Sequence, residues 1–156
     1  MNTRNFSMIL GVIFVVVGIC GFIPGLNQMH EHNTGGGVDL TVTGPGTGHL
    51  LGLFHVNVLH NAVHLLFGVM GILMSRDLGT ARLYCRIVAI AYGLLAIMGI
   101  LPQPFRNTFG LVPIEGNDVW LHALIALACA YFGFIAPAVN SSDMSTEDTN
   151  SAGTAR

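Results

Sequence analysis

Lysine is absent from this sequence of 156 residues, and charged residues of every kind make up only 9% of it, against about 25% in an ordinary soluble domain. That scarcity excludes a normal water-facing surface. The six basic residues are scattered arginines and the formal net charge is -2, so the basic patch that nucleic acid requires is missing and no nucleic-acid partner is expected. Cysteine is scarce as well. Cys20, Cys85 and Cys129 show no CxxC spacing and fall in or beside apolar runs, which reads as small core hydrophobes rather than a disulfide framework or a zinc site. No nucleophile with its base, phosphate-binding loop or dinucleotide fingerprint is present, so no enzyme assignment has a motif behind it.

What the chain does have is apolar length: 52% of it is hydrophobic. Four runs stand out, Ser7 to Ile23, Asn57 to Met74, Leu83 to Leu101 and Asp118 to Val139, stopped respectively by Pro24-Gly25, Ser75-Arg76-Asp77, Pro102-Gln103-Pro104 and Asn140-Ser141-Ser142. Each is about 17 to 22 residues, or roughly 26 to 33 Å, which matches a hydrocarbon core of about 30 Å. The expectation is an all-α integral membrane protein, a four-helix transmembrane domain over residues 1–140 with spans at about 7–23, 57–74, 83–101 and 118–139. A cleaved signal peptide is the rival reading of the first run, but no A-x-A site follows it.

Arg4 precedes the first run, and Arg76, Arg82 and Arg86 flank the short link between the second and third, whereas only Arg106 falls in a loop on the other side. By the positive-inside rule both termini are expected in the cytoplasm. The segment 24–56 then faces outward. Rich in Gly, Thr and His, it is expected to lack the apolar surface to fold alone, and the polar, acidic tail 141–156 is expected to be disordered. Trp120, Tyr84, Phe54, Phe105 and Phe109 lie toward run ends, as an interfacial aromatic belt would.

An internal repeat is visible. His60-Asn61-Ala62-Val63-His64 in the second run corresponds to Asp118-Val119-Trp120-Leu121-His122 in the fourth, with a polar residue at i and histidine at i+4 each time. The first and third runs both carry glycines (Gly11, Gly18, Gly21; Gly93, Gly99) and both end at a proline. The pattern is one helical hairpin used twice, with a pseudo-two-fold axis along the membrane normal. Close contacts are expected at these glycines and at Gly68 and Gly71, because helices in lipid associate through small residues.

His60 and His64 project from one helix face, one turn apart, near the outer interface. With helices 2 and 4 related by the repeat, His64 and His122 would face each other, with His60 and Asp118 one turn above. Three readings compete for this cluster. It binds a divalent metal or haem through His60, His64 and His122, with Asp118 as an additional or outer ligand. It relays protons or a small solute, since ionisable residues within spans are costly. Or its histidines hydrogen-bond between helices while Asn57, Asn117 and Asp118 cap helix N-termini. His55 and Asn61 are secondary candidates, His55 as an interfacial anchor. His30-Glu31-His32 and His49 could catch a metal, but a glycine-rich loop is a poor scaffold for one.

The stretch from Leu50 to Gly68, LLGLFHVNVLHNAVHLLFG, with Gly21-Phe22-Ile23-Pro24-Gly25 and Val119-Trp120-Leu121-His122, resembles a bacterial family of small four-helix membrane proteins classed as a domain of unknown function, whose helix 2 carries an LFxVNxxHNxxHLxxG-like stretch. The resemblance implies four spans and a bacterial inner-membrane location, and brings no activity, cofactor or catalytic residue. The expected function is that of a small integral membrane protein of unknown activity, structural or accessory. The alternatives are a metal- or haem-binding membrane protein and a small proton or solute transporter. Lipid is the expected partner, together with a second copy of the chain or another membrane protein.

Overall fold

A computed structural model describes residues 1–28, 48–112, 114 and 116–137. The tail 141–156, His30-Glu31-His32 and the middle of the glycine-rich segment lie outside the described residues. The protein is mostly helical, with α1 (Thr3–Cys20), α2 (Val58–Met74), α3 (Leu78–Ile100) and α4 (Asn117–Ala130). A π-helical turn, Tyr131–Ile135, prolongs α4, and a short 3-10 helix, Phe105–Gly110, links α3 to it. Thr3–Cys20, Leu78–Ile100 and Asn117–Ile135 are long and apolar enough to cross a membrane. The remaining helix, α2, is apolar but only 17 residues long, about 26 Å.

Capping residues set the starts. Asn2, Asn57 and Asp77 accept hydrogen bonds from the backbone N–H of Asn5, His60 and Thr80 at 2.8, 2.7 and 3.1 Å, satisfying amides that have no partner within the helix. Helix α1 therefore begins at Thr3 rather than at Ser7, and α3 at Leu78 rather than at Leu83. A capped first turn is polar, so a hydropathy run misses it. At the other end α1 stops at Cys20 rather than Ile23. The helical backbone after α4 stops at Ile135, where the ring of Pro137, crowding the residue before it, holds Ala136 extended at φ -54 and ψ 135.

The all-α expectation needs one correction. The ends of the segment 24–56 pair into a small antiparallel sheet of β1 (Asn27–Gln28), β2 (Gly48–Leu50) and β3 (Phe54–Val56), in that order. Asn27 stands opposite Leu50, and His49 opposite His55. Backbone pairing does what side-chain composition alone could not, and Leu50 and Val56 are buried beneath it.

Helix α1 packs chiefly on α2, and α3 on α4. At the first seam the backbones touch: a Cβ on Gly11 would lie 2.8 Å from the Gly68 carbonyl oxygen and from the Ile72 nitrogen. Ser7 Oγ donates to the Gly71 carbonyl at 2.9 Å in the same buried seam. Leu10, Phe14, Tyr84, Cys85, Val88, Tyr92 and Cys129 form the central core. Tyr84 is thus corrected from belt to core, its ring closed over Gly71. The outward faces are apolar, with Ile13, Val16, Ile90, Leu94, Leu124 and Leu127 all exposed. So large an apolar surface suits lipid and would be a liability in water.

The start of α1 and the end of α4 meet. Phe6 stacks on Phe132 with ring centroids 4.1 Å apart, and Thr3 Oγ1 lies 3.4 Å from the Phe132 carbonyl oxygen to which it donates.

Candidate functional site

The site sits at the N-terminal ends of α2 and α4. Asn57 fixes the entry to α2 with both halves of its amide: Oδ1 accepts from His60 N–H, and Nδ2 donates to the Leu111 carbonyl at 2.8 Å. That second bond ties α2 to the segment leading into α4. His60, one turn on, is buried, and its Nε2 lies 2.9 Å from Nε2 of His64, with the two rings near parallel at 21°. One nitrogen donates and the other accepts.

From α4 come Asp118 and His122, both buried. The His122 ring lies 6.2 Å from that of His60. The cap of α4 differs from expectation: the N-cap is Gly116, at φ 53, with no side-chain hydrogen bond. Asn117 and Asp118 therefore lie inside the first turn rather than capping it, and Asn117 is exposed. A carboxylate in a first turn still faces the positive end of the helix dipole.

Two aromatic residues that sequence reasoning passed over complete the assembly. Tyr92 of α3 presents its ring edge-on to His122 at 4.9 Å and 77°, and to His64 at 6.5 Å and 82°. Phe14 of α1 meets His64 edge-on at 5.2 Å and 84° and stacks on Tyr92 at 5.3 Å. All four helices thus contribute a ring. The signal that could have found Tyr92 was the repeat, because matching Gly21-Phe22-Ile23-Pro24 to Gly99-Ile100-Leu101-Pro102 sets Tyr92 against Phe14.

The secondary candidates separate. Asn61 is buried against the end of α1, where a Cβ on Gly21 would collide with the Asn61 amide. Nearby, the Asn27 amide donates to the Gly21 carbonyl, linking the sheet to α1. His55 is half-buried on β3, its ring stacked on His49 at 4.9 Å.

Among the described residues no group of three or more His, Cys, Asp or Glu side chains is arranged to hold a metal ion. The reason is visible in the pair, whose Nε2 atoms point at each other at hydrogen-bond distance, whereas ligands to a shared ion converge on one point about 2 Å from each nitrogen.

A family model described as a domain of unknown function matches residues 4–135. The chain belongs to that family, DUF4383. The matched residues take in all four helices but for the first residue of α1, and the whole ring assembly, so the site belongs to the DUF4383 domain and not to an appended segment. Neither a curated protein nor a solved structure matches the chain. Family and apolar helices together fit a small membrane protein of unknown activity.

Proposed function

We propose that this chain is a structural or accessory protein of the bacterial inner membrane, a four-helix bundle crossing it four times with both termini cytoplasmic. In this reading His60, His64, Asp118 and His122 lock its hairpins together near the outer face. The observation that carries the proposal is the ring packing across all four helices: the His60–His64 pair, hydrogen-bonded within α2, meets Phe14 of α1, Tyr92 of α3 and His122 of α4. Polar groups in an apolar protein are best satisfied by each other, and the Nε2 atoms of His60 and His64 turn to each other rather than toward a common point, while the Nδ1 atoms of His60, His64 and His122 are buried without a hydrogen-bond partner.

A repeated hairpin supports the same reading. Carrying α1 onto α3 and α2 onto α4 sets Phe14 on Tyr92 and His64 on His122, and the contact Phe14–His64 has its counterpart in Tyr92–His122, at nearly equal distance and angle. Phe14 and Tyr92, stacked on each other at 10°, would straddle the pseudo-two-fold axis. Gly21 against Asn61 likewise has its counterpart in Gly99 against Val119. The meeting of the α1 start with the α4 end favours both termini on one side.

The test is an absorbance scan and elemental analysis of protein purified in detergent. Colourless, metal-free protein whose helicity survives, and whose melting temperature falls in His64→Ala, is the expected result. A Soret band or stoichiometric metal that vanishes in His64→Ala would replace the proposal with a haem- or metal-binding function. A second reading, a proton relay, is favoured by the same bond, since two bonded imidazoles share a proton that either can keep. Proton flux in liposomes that Asp118→Asn abolishes would select it.

A further inference from the structure

At the opposite end of the molecule lies an arginine assembly that the histidine reading does not use. Arg82, half-buried, donates to the Ala136 carbonyl, and Arg86 Nε donates to the Gly133 carbonyl at 2.8 Å. The Arg86 guanidinium also lies 5.2 Å from the Phe134 ring centroid. Arg4 Nε donates to the Ser75 carbonyl at 3.1 Å. These bonds satisfy the free carbonyls that end α2 and α4. Each guanidinium has five N–H donors, and the bonds described engage one from each.

Among the described residues the charge there is unbalanced. The acidic side chains among them are Asp77 and Asp118; Asp118 is at the other end, and Asp77 is committed to capping Thr80. Arg86 is exposed, and its neighbours on the same surface are large exposed apolar residues: Leu83 and Ile90, at one turn on either side, and Phe134. A guanidinium on a hydrocarbon-facing surface is costly unless it reaches the headgroups and meets an anion there. Helical side chains tilt toward the N-terminus, which aims Arg82 and Arg86 at the nearer interface.

We infer that Arg82 and Arg86 form a binding site for the phosphate of an anionic glycerophospholipid, whose acyl chains lie along Leu83, Ile90 and Phe134. The planar guanidinium fork matches two phosphate oxygens. Net negative charge on the lipid complements the surplus of arginine, which a zwitterionic headgroup does not.

The test measures the lipid retained by the purified full chain in native mass spectrometry after incubation with equal amounts of phosphatidylglycerol and phosphatidylcholine. Phosphatidylglycerol should be retained preferentially, and R82Q/R86Q should lower that preference about fivefold per arginine removed. R82K/R86K should keep most of it, and R106Q, at the other end, all of it. Where circular dichroism shows R82Q/R86Q unfolded, R86Q alone gives the answer, because Arg86 is exposed. Equal retention of both lipids, or an equal loss in R106Q, overturns the site. So does displacement of the lipid by millimolar inorganic phosphate, which would identify a free-anion site. Neutralising Asp143, Glu147 and Asp148 to their amides should leave the preference unchanged; a severalfold rise would make the acidic tail the occupant and overturn the lipid assignment.

Discussion

The two helix pairs of this protein, α1 with α2 and α3 with α4, differ in how they close. Between α1 and α2 the backbones are in contact at Gly11, and a hydroxyl-to-carbonyl bond from Ser7 to Gly71 crosses the seam. Between α3 and α4 side chains fill the gap: a Cβ on Gly93 would meet only the Ala126 Cβ, at 3.9 Å, and Cys85 and Cys129 are buried where the proposed repeat sets Ser7 and Gly71. Lipid offers no hydrophobic drive for helices to associate, so closeness and polar bonds must supply it. The first pair relies on closeness. The second relies on volume and on Arg82 and Arg86 reaching the end of α4.

The largest predicted effect breaks the first seam. Gly11→Leu forces a side chain against backbone atoms and should cost about 3 kcal/mol, read as loss of the folded form in a denaturant titration followed by circular dichroism. Next comes the ring assembly that joins the pairs. His64→Ala strands a buried His60 nitrogen and should cost about 1 to 2 kcal/mol, more than His122→Ala, which removes ring contacts alone. An equal cost would mean that the His60–His64 bond contributes nothing special.

Caps give the next contrast. Asn57→Ala should cost about 1 kcal/mol because it removes the cap of α2, while Asn117→Ala, which caps nothing, should leave the melting temperature unchanged. Smallest is Gly93→Ala, where there is room for a methyl and α3 should gain about 0.5 kcal/mol. A loss at Gly93 comparable to that at Gly11 would erase the difference between the seams.

Much of this was legible in the sequence, for identifiable reasons. Apolar length marks helices whatever their partners, so all four runs emerged, and a spacing of four set His60 and His64 on one face. The start of α3 was hidden because Asp77 and Thr80 make its first turn polar. The sheet was hidden because its strands are two and three residues long and pair across a long insertion. Tyr92 was hidden because an aromatic residue in an apolar helix has no pattern of its own, and only the repeat, carried as far as Phe14, marks it in the sequence. The mutual bond between His60 and His64 depends on ring rotation, which no spacing specifies.

The account stands on that bond inside a lipid-solvated bundle. Solid-state NMR of the ¹⁵N-histidine-labelled protein in bilayers tests it directly, through a coupling carried between two ring nitrogens by one hydrogen bond. The account predicts one such Nε2–Nε2 correlation, shielded from exchange with water and lost in His64→Ala. Imidazoles that show no mutual coupling and exchange freely with solvent would contradict it.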